Sequence, residues 1–133
     1  RGFMMSGEPL SVNATKPGLD PEALARLTEL DPKGENQLLE RVLRAFQASA
    51  ARLMPQLEAA RLSGDRATVR LVAHTLKSSS ASIGALELSQ VCAQVEDLSR
   101  AESADGLDPR LDTMRAALDA ALSAIQRLLE GTR

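Results

Sequence analysis

The chain holds a single histidine, His74. Imidazole is the one side chain whose ordinary pKa, about 6.5, leaves it mostly neutral near pH 7, with a ring nitrogen free to act as a nucleophile. Lys77 and Ser78 stand three and four residues further on, one helical turn along the same surface. A nucleophile, a point positive charge and a hydroxyl donor are the parts that phosphoryl transfer asks of a protein. That reaction needs positioning and charge stabilisation at the phosphoryl oxygens and little covalent chemistry beyond the attacking atom. Ser79 is a second hydroxyl of the same run, less well placed by angle.

Other chemistries lack their residues. No Gly-rich phosphate loop with a following Lys and no Asp cluster suited to Mg²⁺ is present. The chain therefore reads as having no ATP site of its own and as no autonomous kinase. One Cys and one His make no credible zinc site, so neither a metal nor a bound cofactor is expected. Acids and bases are interspersed, and the net charge of −2 is near neutral, which argues against nucleic acid or an anionic membrane as partner. Cys92 stands alone, so an intrachain disulfide is impossible, and no apolar run reaches the length of a membrane span. Together these features suggest a cytoplasmic domain.

Helices must position the site. Phe3 and Phe46 are the only aromatics, so the core is built from Leu, Ala, Val and Met, a composition that favours helix over strand. Placed at about 100° per residue, Val69, Val72, Ala73, Leu76, Ser80 and Ile83 line one buried stripe, and His74 points about 140° away from it, toward water. Asp65 caps this helix, which runs from about Arg66 to Ser82 and ends at Gly84. Before it, Leu39, Val42, Phe46, Ala50, Leu53, Leu57 and Ala60 mark a long helix from about Asn36 to Leu62, with Pro55 expected to kink or split it. After it, Leu88, Val91, Cys92, Val95 and Leu98 mark a fourth helix. Leu111 to Leu129 mark a last one, preceded by Asp108-Pro109. Asp20-Pro21 starts a short N-terminal helix with Leu24, Leu27 and Leu30 on its apolar face. The reading is all-α: an antiparallel four-helix bundle with a short additional N-terminal helix over residues 19–133, and a flexible segment over 1–18.

The run His74-Thr75-Leu76-Lys77-Ser78-Ser79-Ser80-Ala81-Ser82-Ile83-Gly84-Ala85 resembles the signature of histidine-containing phosphotransfer (HPt) domains, roughly H-x-L-K-G-S-(S/A), a short spacer, then G-A. The resemblance extends to Phe46, Leu57-Glu58-Ala59-Ala60, Gly64-Asp65 and the stretch from Leu88 to Leu98, and covers roughly Pro21 to Leu129. One position departs: Ser78 stands where the family usually has Gly.

The resemblance implies that His74 accepts a phosphoryl group from the Asp of a receiver domain and passes it to another. The partners would then be receiver domains of response regulators or of a hybrid sensor histidine kinase, meeting a monomeric chain. Mg²⁺ would be expected on the receiver. Lys77 would stabilise phosphoryl charge, and Ser78 would set how closely a partner approaches and offer a hydrogen bond. Leu71 and Ala81 would border the docking surface.

Plainer alternatives stand beside these. Lys77 taken alone is a solvated charge, Leu71 a surface leucine, Ser80 and Cys92 core packing. Arg41, Arg44 and Arg52 are scattered, solvated charges. The rival for the whole chain is a non-catalytic helical adaptor in which His74 is incidental.

Overall fold

The computed structural model describes residues 19–34, 37–101 and 105–131; the segment 1–18 read as flexible lies outside them. Five helices follow one another: α1 (Pro21–Glu29), α2 (Leu38–Ser63), α3 (Arg66–Ser82), α4 (Leu86–Arg100) and α5 (Leu107–Gly131). Helices α2 to α5 form an antiparallel four-helix bundle. α4 packs against α3 and α5, α2 packs against α3, and a thinner contact between α2 and α5 closes the ring. α1 leans on α2. The described residues contain no strand, and no helix among them is long and apolar enough to cross a membrane.

The apolar stripes meet in one core that includes Leu43, Phe46, Leu57, Val72, Leu76, Leu88, Val95, Leu118, Ile125 and Leu129. Each such side chain contributes about 1.5 to 3 kcal/mol on removal from water.

The link between α2 and α3 is short because Gly64 takes a left-handed conformation (φ 75°) and its N–H bonds back to the Ala60 carbonyl. The Asp65 carboxylate then accepts from the Thr68 N–H, capping α3. The Thr68 hydroxyl, followed by its N–H, holds the Asp65 carboxyl below the usual carboxylate range.

Three local expectations change. α2 runs unbroken through Pro55. Pro55 and Ala51 are both exposed, so water can satisfy the carbonyl that Pro55 leaves without a donor. Asp108 lies inside the first turn of α5 instead of capping it. Leu30 is exposed and contributes nothing to the face of α1, which buries Ala23.

Asp20 occupies the N-cap position of α1, but its side chain caps nothing. Its backbone N–H donates instead to the Gly84 carbonyl at 2.8 Å. Gly84 has φ +79°, and a Cβ there would stand 2.8 Å from the Asp20 nitrogen and 2.9 Å from the Ala23 Cβ. The α3–α4 turn is thus the seat of α1. Gly64 has a similar φ with open space around its Cβ position. Gly64→Ala should therefore cost only the left-handed backbone penalty, about 1 to 2 kcal/mol. Gly84→Ala should cost more, and limited proteolysis should then cut within α1. Equal melting temperatures for the two variants would show that α1 does not seat on Gly84.

Candidate functional site

α3 and α4 approach closely because small, fully buried side chains, Ala73 and Ser80, lie on the core face of α3. The Ser80 hydroxyl is satisfied within its own helix by the Leu76 carbonyl. The turn is drawn tight by Ala85, whose N–H donates to the Ser80 carbonyl at 2.9 Å. Ser89, in the first turn of α4, donates its hydroxyl to the Lys77 carbonyl at 3.0 Å. At the other end of the pair, Arg66 donates to the Ala101 carbonyl at 2.8 Å. These ties fix the register between the helices and so decide which α4 residue lies beside His74.

That residue is Glu96. Its side chain is 4 % exposed, whereas that of His74 is 59 % exposed. His74 Nδ1 lies 2.9 Å from Glu96 Oε2, Lys77 Nζ 2.7 Å from Oε1, and Arg100 Nη2 2.9 Å from Oε2. A carboxylate this buried is tolerable only when paired and hydrogen-bonded, and here both oxygens are engaged. The Lys77 ammonium, and after it the His74 ring, hold the Glu96 carboxyl below the usual carboxylate range, against the opposing effect of burial.

An ionised carboxylate can only accept. Nδ1 of His74 is therefore the donor, and this assigns the proton to Nδ1. Nε2 of the neutral ring is left with its lone pair free. Chemically the arrangement is an exposed nitrogen nucleophile whose tautomer is fixed by a buried carboxylate.

The residues named from the sequence lie together on α3. Leu71 (63 % exposed), His74, Ser78 and Ala81 are all exposed on this helix, at spacings of three and four residues that share one face. The hydroxyls of Ser79, Ser80 and Ser82 are used on carbonyls of α3 itself. Among the described residues the Ser78 hydroxyl makes no such bond. Lys77 is turned to Glu96 in this state, which occupies one of its three donors. Arg44 pairs with Glu40 one turn before it on α2.

Glu96 and Arg100 were not singled out from the sequence, yet a signal existed. Leu88, Val91, Cys92 and Val95 recur at three- and four-residue steps, and Glu96 and Ser99 continue that series in phase. A charge in step with an apolar stripe must be buried, and a buried carboxylate needs cations. Cys92, one turn before Glu96, is fully buried. Burial, and next the Glu96 charge, push its thiol up to about 12, so it is a neutral packing group.

A groove of about 590 Å³ lies between α2 and α5, lined by residues that include Ala50, Met54, Leu118, Leu122 and Gln126. Its lining contains no residue of α3 or α4, and so it takes no part in the His74 chemistry.

The depressed Glu96 carboxyl has a consequence for stability. A group with a lowered folded-state pKa stabilises above its unfolded value, and loses that contribution as the pH falls through the folded one. The parent should thus lose its melting-temperature advantage over Glu96→Gln as the pH falls below about 4.3, the ordinary glutamate value. Asp65 titrates in both proteins and cancels. Paired thermal melts measure the gap; a gap independent of pH would mean that the carboxylate charge is not coupled to folding.

Comparison with known proteins agrees with this geometry. The Hpt domain family model matches residues 41–127. Among solved structures, the fold is similar to that of histidine-containing phosphotransfer protein B (HptB) from Pseudomonas aeruginosa PAO1. The TM-score is 0.77 at 23 % sequence identity, covering 86 % of this chain and 96 % of that one. No curated protein matches the sequence. The family match spans more than half of the chain and contains His74, Lys77, Glu96 and Arg100. The chain belongs to the Hpt domain family and is a histidine phosphotransfer protein of phosphorelay signalling.

Proposed function

We propose that His74 is the phosphoacceptor, taking a phosphoryl group on Nε2 from the aspartyl phosphate of one receiver domain and giving it to the aspartate of another. The observation that carries the reading is the 2.9 Å bond between Nδ1 and buried Glu96, which leaves Nε2 as the free nitrogen of an exposed ring. In the forward step the Nε2 lone pair attacks phosphorus, the P–O bond to the receiver aspartate breaks, and its electron pair stays on the carboxylate. The reverse step returns the pair to Nε2.

The receiver supplies the aspartate and its Mg²⁺; this chain supplies the nucleophile. Lys77 has donors left over from Glu96 and a half-exposed side chain, which suits it to a phosphoryl oxygen. The free Ser78 hydroxyl on the same face is suited to a second one. Ser78 is also the next object along the helix from His74, so its size governs how far the receiver loops can settle. Leu71 and Ala81 border that contact and offer it apolar surface. The same reading has the chain act as a monomer in the cytoplasm. In support, the core is closed within one chain and the lone cysteine is a buried free thiol.

The decisive test is labelling by a phosphorylated receiver. His74→Gln should take up no acid-labile, base-stable phosphate while remaining folded, with a stability loss of about 1 to 3 kcal/mol for the donor taken from buried Glu96. Persistent labelling of that variant would move the phosphoacceptor to another residue, and a parent that takes up no label would leave a helical adaptor as the better description.

Ser78→Leu should fold like the parent yet lose transfer, because reacting atoms must come within about 3 to 3.5 Å and the added bulk stands in the way. Rapid-quench transfer with parallel melting curves separates the two effects. Transfer at the parent rate would show that the receiver docks elsewhere.

A further inference from the structure

We infer that Glu96 keeps the proton on Nδ1 of His74 after Nε2 has taken the phosphoryl group, so that the phosphorylated protein carries an N-phosphoimidazolium paired with a buried carboxylate. The inference rests on the assignment of His74 as phosphoacceptor and goes beyond it, because it concerns the phosphorylated state and its power to give the group away.

The argument starts from charge. Attack by Nε2 turns a neutral ring that carries one proton into a cation. The proton on Nδ1 can then stay or leave. If it stays, later cleavage of the N–P bond sends the electron pair to Nε2 and expels neutral imidazole. If it leaves, the same cleavage must expel imidazolate, a far poorer leaving group. The proton on Nδ1 therefore decides whether the phosphoryl group is mobile or parked.

The surroundings favour retention. Glu96 is the group against Nδ1, at 2.9 Å, and its side chain is 4 % exposed. Such a charge is little screened by water. The Lys77 bond makes this carboxylate a weak base, so it holds the proton by attraction without taking it. The groups that face Glu96 are His74 and Lys77 from α3, and Arg100 with the neutral Cys92 thiol from α4. α2 and α5 turn only apolar residues to the core among those described.

Lys77 and Arg100 dilute the pull of Glu96 on the imidazole in the resting state. Both are long, and their side chains are 36 % and 58 % exposed. A phosphoryl group on Nε2 competes for these cations. Each cation that moves to the phosphoryl oxygens leaves the Glu96 charge more fully to the imidazolium. Phosphorylation thus tightens the hold on the proton that onward transfer requires. Glu96 acts through His74 and is a positioning residue.

The test uses the full chain labelled with ¹⁵N in the His74 ring and phosphorylated by phosphoramidate, which needs no receiver. ¹⁵N and ³¹P NMR follow Nδ1 of the phosphorylated ring as the pH is raised. A carboxylate in contact with a cation shifts its titration by about 1 to 3 pH units. The parent should keep its Nδ1 proton to a pH higher by that amount than Glu96→Gln, with Glu96→Asp in between. Above the midpoint of the Gln variant, its transfer to a receiver should fall about tenfold per pH unit, following the protonated fraction, while the parent stays level.

Coincident midpoints in parent and Gln variant, both phosphorylated on His74, would overturn the inference and leave the phosphoacceptor intact. A ³¹P signal without phosphorus coupling to the His74 ring would overturn both. Should the Gln variant fail to fold, the phosphorylated parent unfolded in urea takes its place as the reference, and equal midpoints in the folded and unfolded chain are equally fatal.

Discussion

A carboxylate buried beneath an exposed imidazole is the constraint around which the bundle is arranged. Glu96 on α4 can be ionised out of water only because three donors converge on it, two from α3 and one from its own helix. That convergence needs α3 and α4 at close range and in a single register. Close range comes from Ala73 and Ser80, both fully buried. Register comes from the Ser89–Lys77, Ala85–Ser80 and Arg66–Ala101 bonds. A slip of α4 by one residue would rotate Glu96 by about 100° away from His74 and leave a charge in the core without partners. The geometry of the nucleophile and the stability of the helix pair are thus secured by the same contacts.

The exposure gradient across the site follows from the same pairing. The His74 ring is anchored at Nδ1 and open at Nε2, the arrangement a group needs if it is to meet a macromolecule instead of a small substrate. No enclosed pocket is required, and the groove between α2 and α5 lies apart from the chemistry. Leu71, Ser78 and Ala81 lie exposed with the imidazole on one helix face, which is the face the proposed receiver contact would use.

Much of the fold was legible in the sequence because apolar periodicity and caps are local signals. The boundaries of α3 at Arg66 and Ser82, the Gly64–Asp65 link and the outward aim of His74 all follow from spacing. What was harder to read depends on neighbours in space. Pro55 was expected to kink or split α2; its face is solvated and the helix is not split. Asp20 holds the N-cap position of α1 as expected, yet its side chain caps nothing, and its N–H donates to Gly84, a partner far along the chain. Glu96 is the clearest case: helical spacing puts it on the core face of α4, but only the α3–α4 register reveals which cations meet it. His74, Lys77 and Ser78 could be found from one helix and the buried phase of Glu96 from another, but that the two sets meet could not be read from either.

The seat of α1 on the α3–α4 turn carries a mechanical implication. The Asp20 amide is bonded to the carbonyl of Gly84, the residue at which α3 stops and α4 turns back toward the site. The N-terminal helix is therefore a clasp on one end of the α3–α4 pair: it ties the start of the described chain to the middle, and a change that unseats it takes a hydrogen bond from the turn while leaving the ties between α3 and α4 themselves in place.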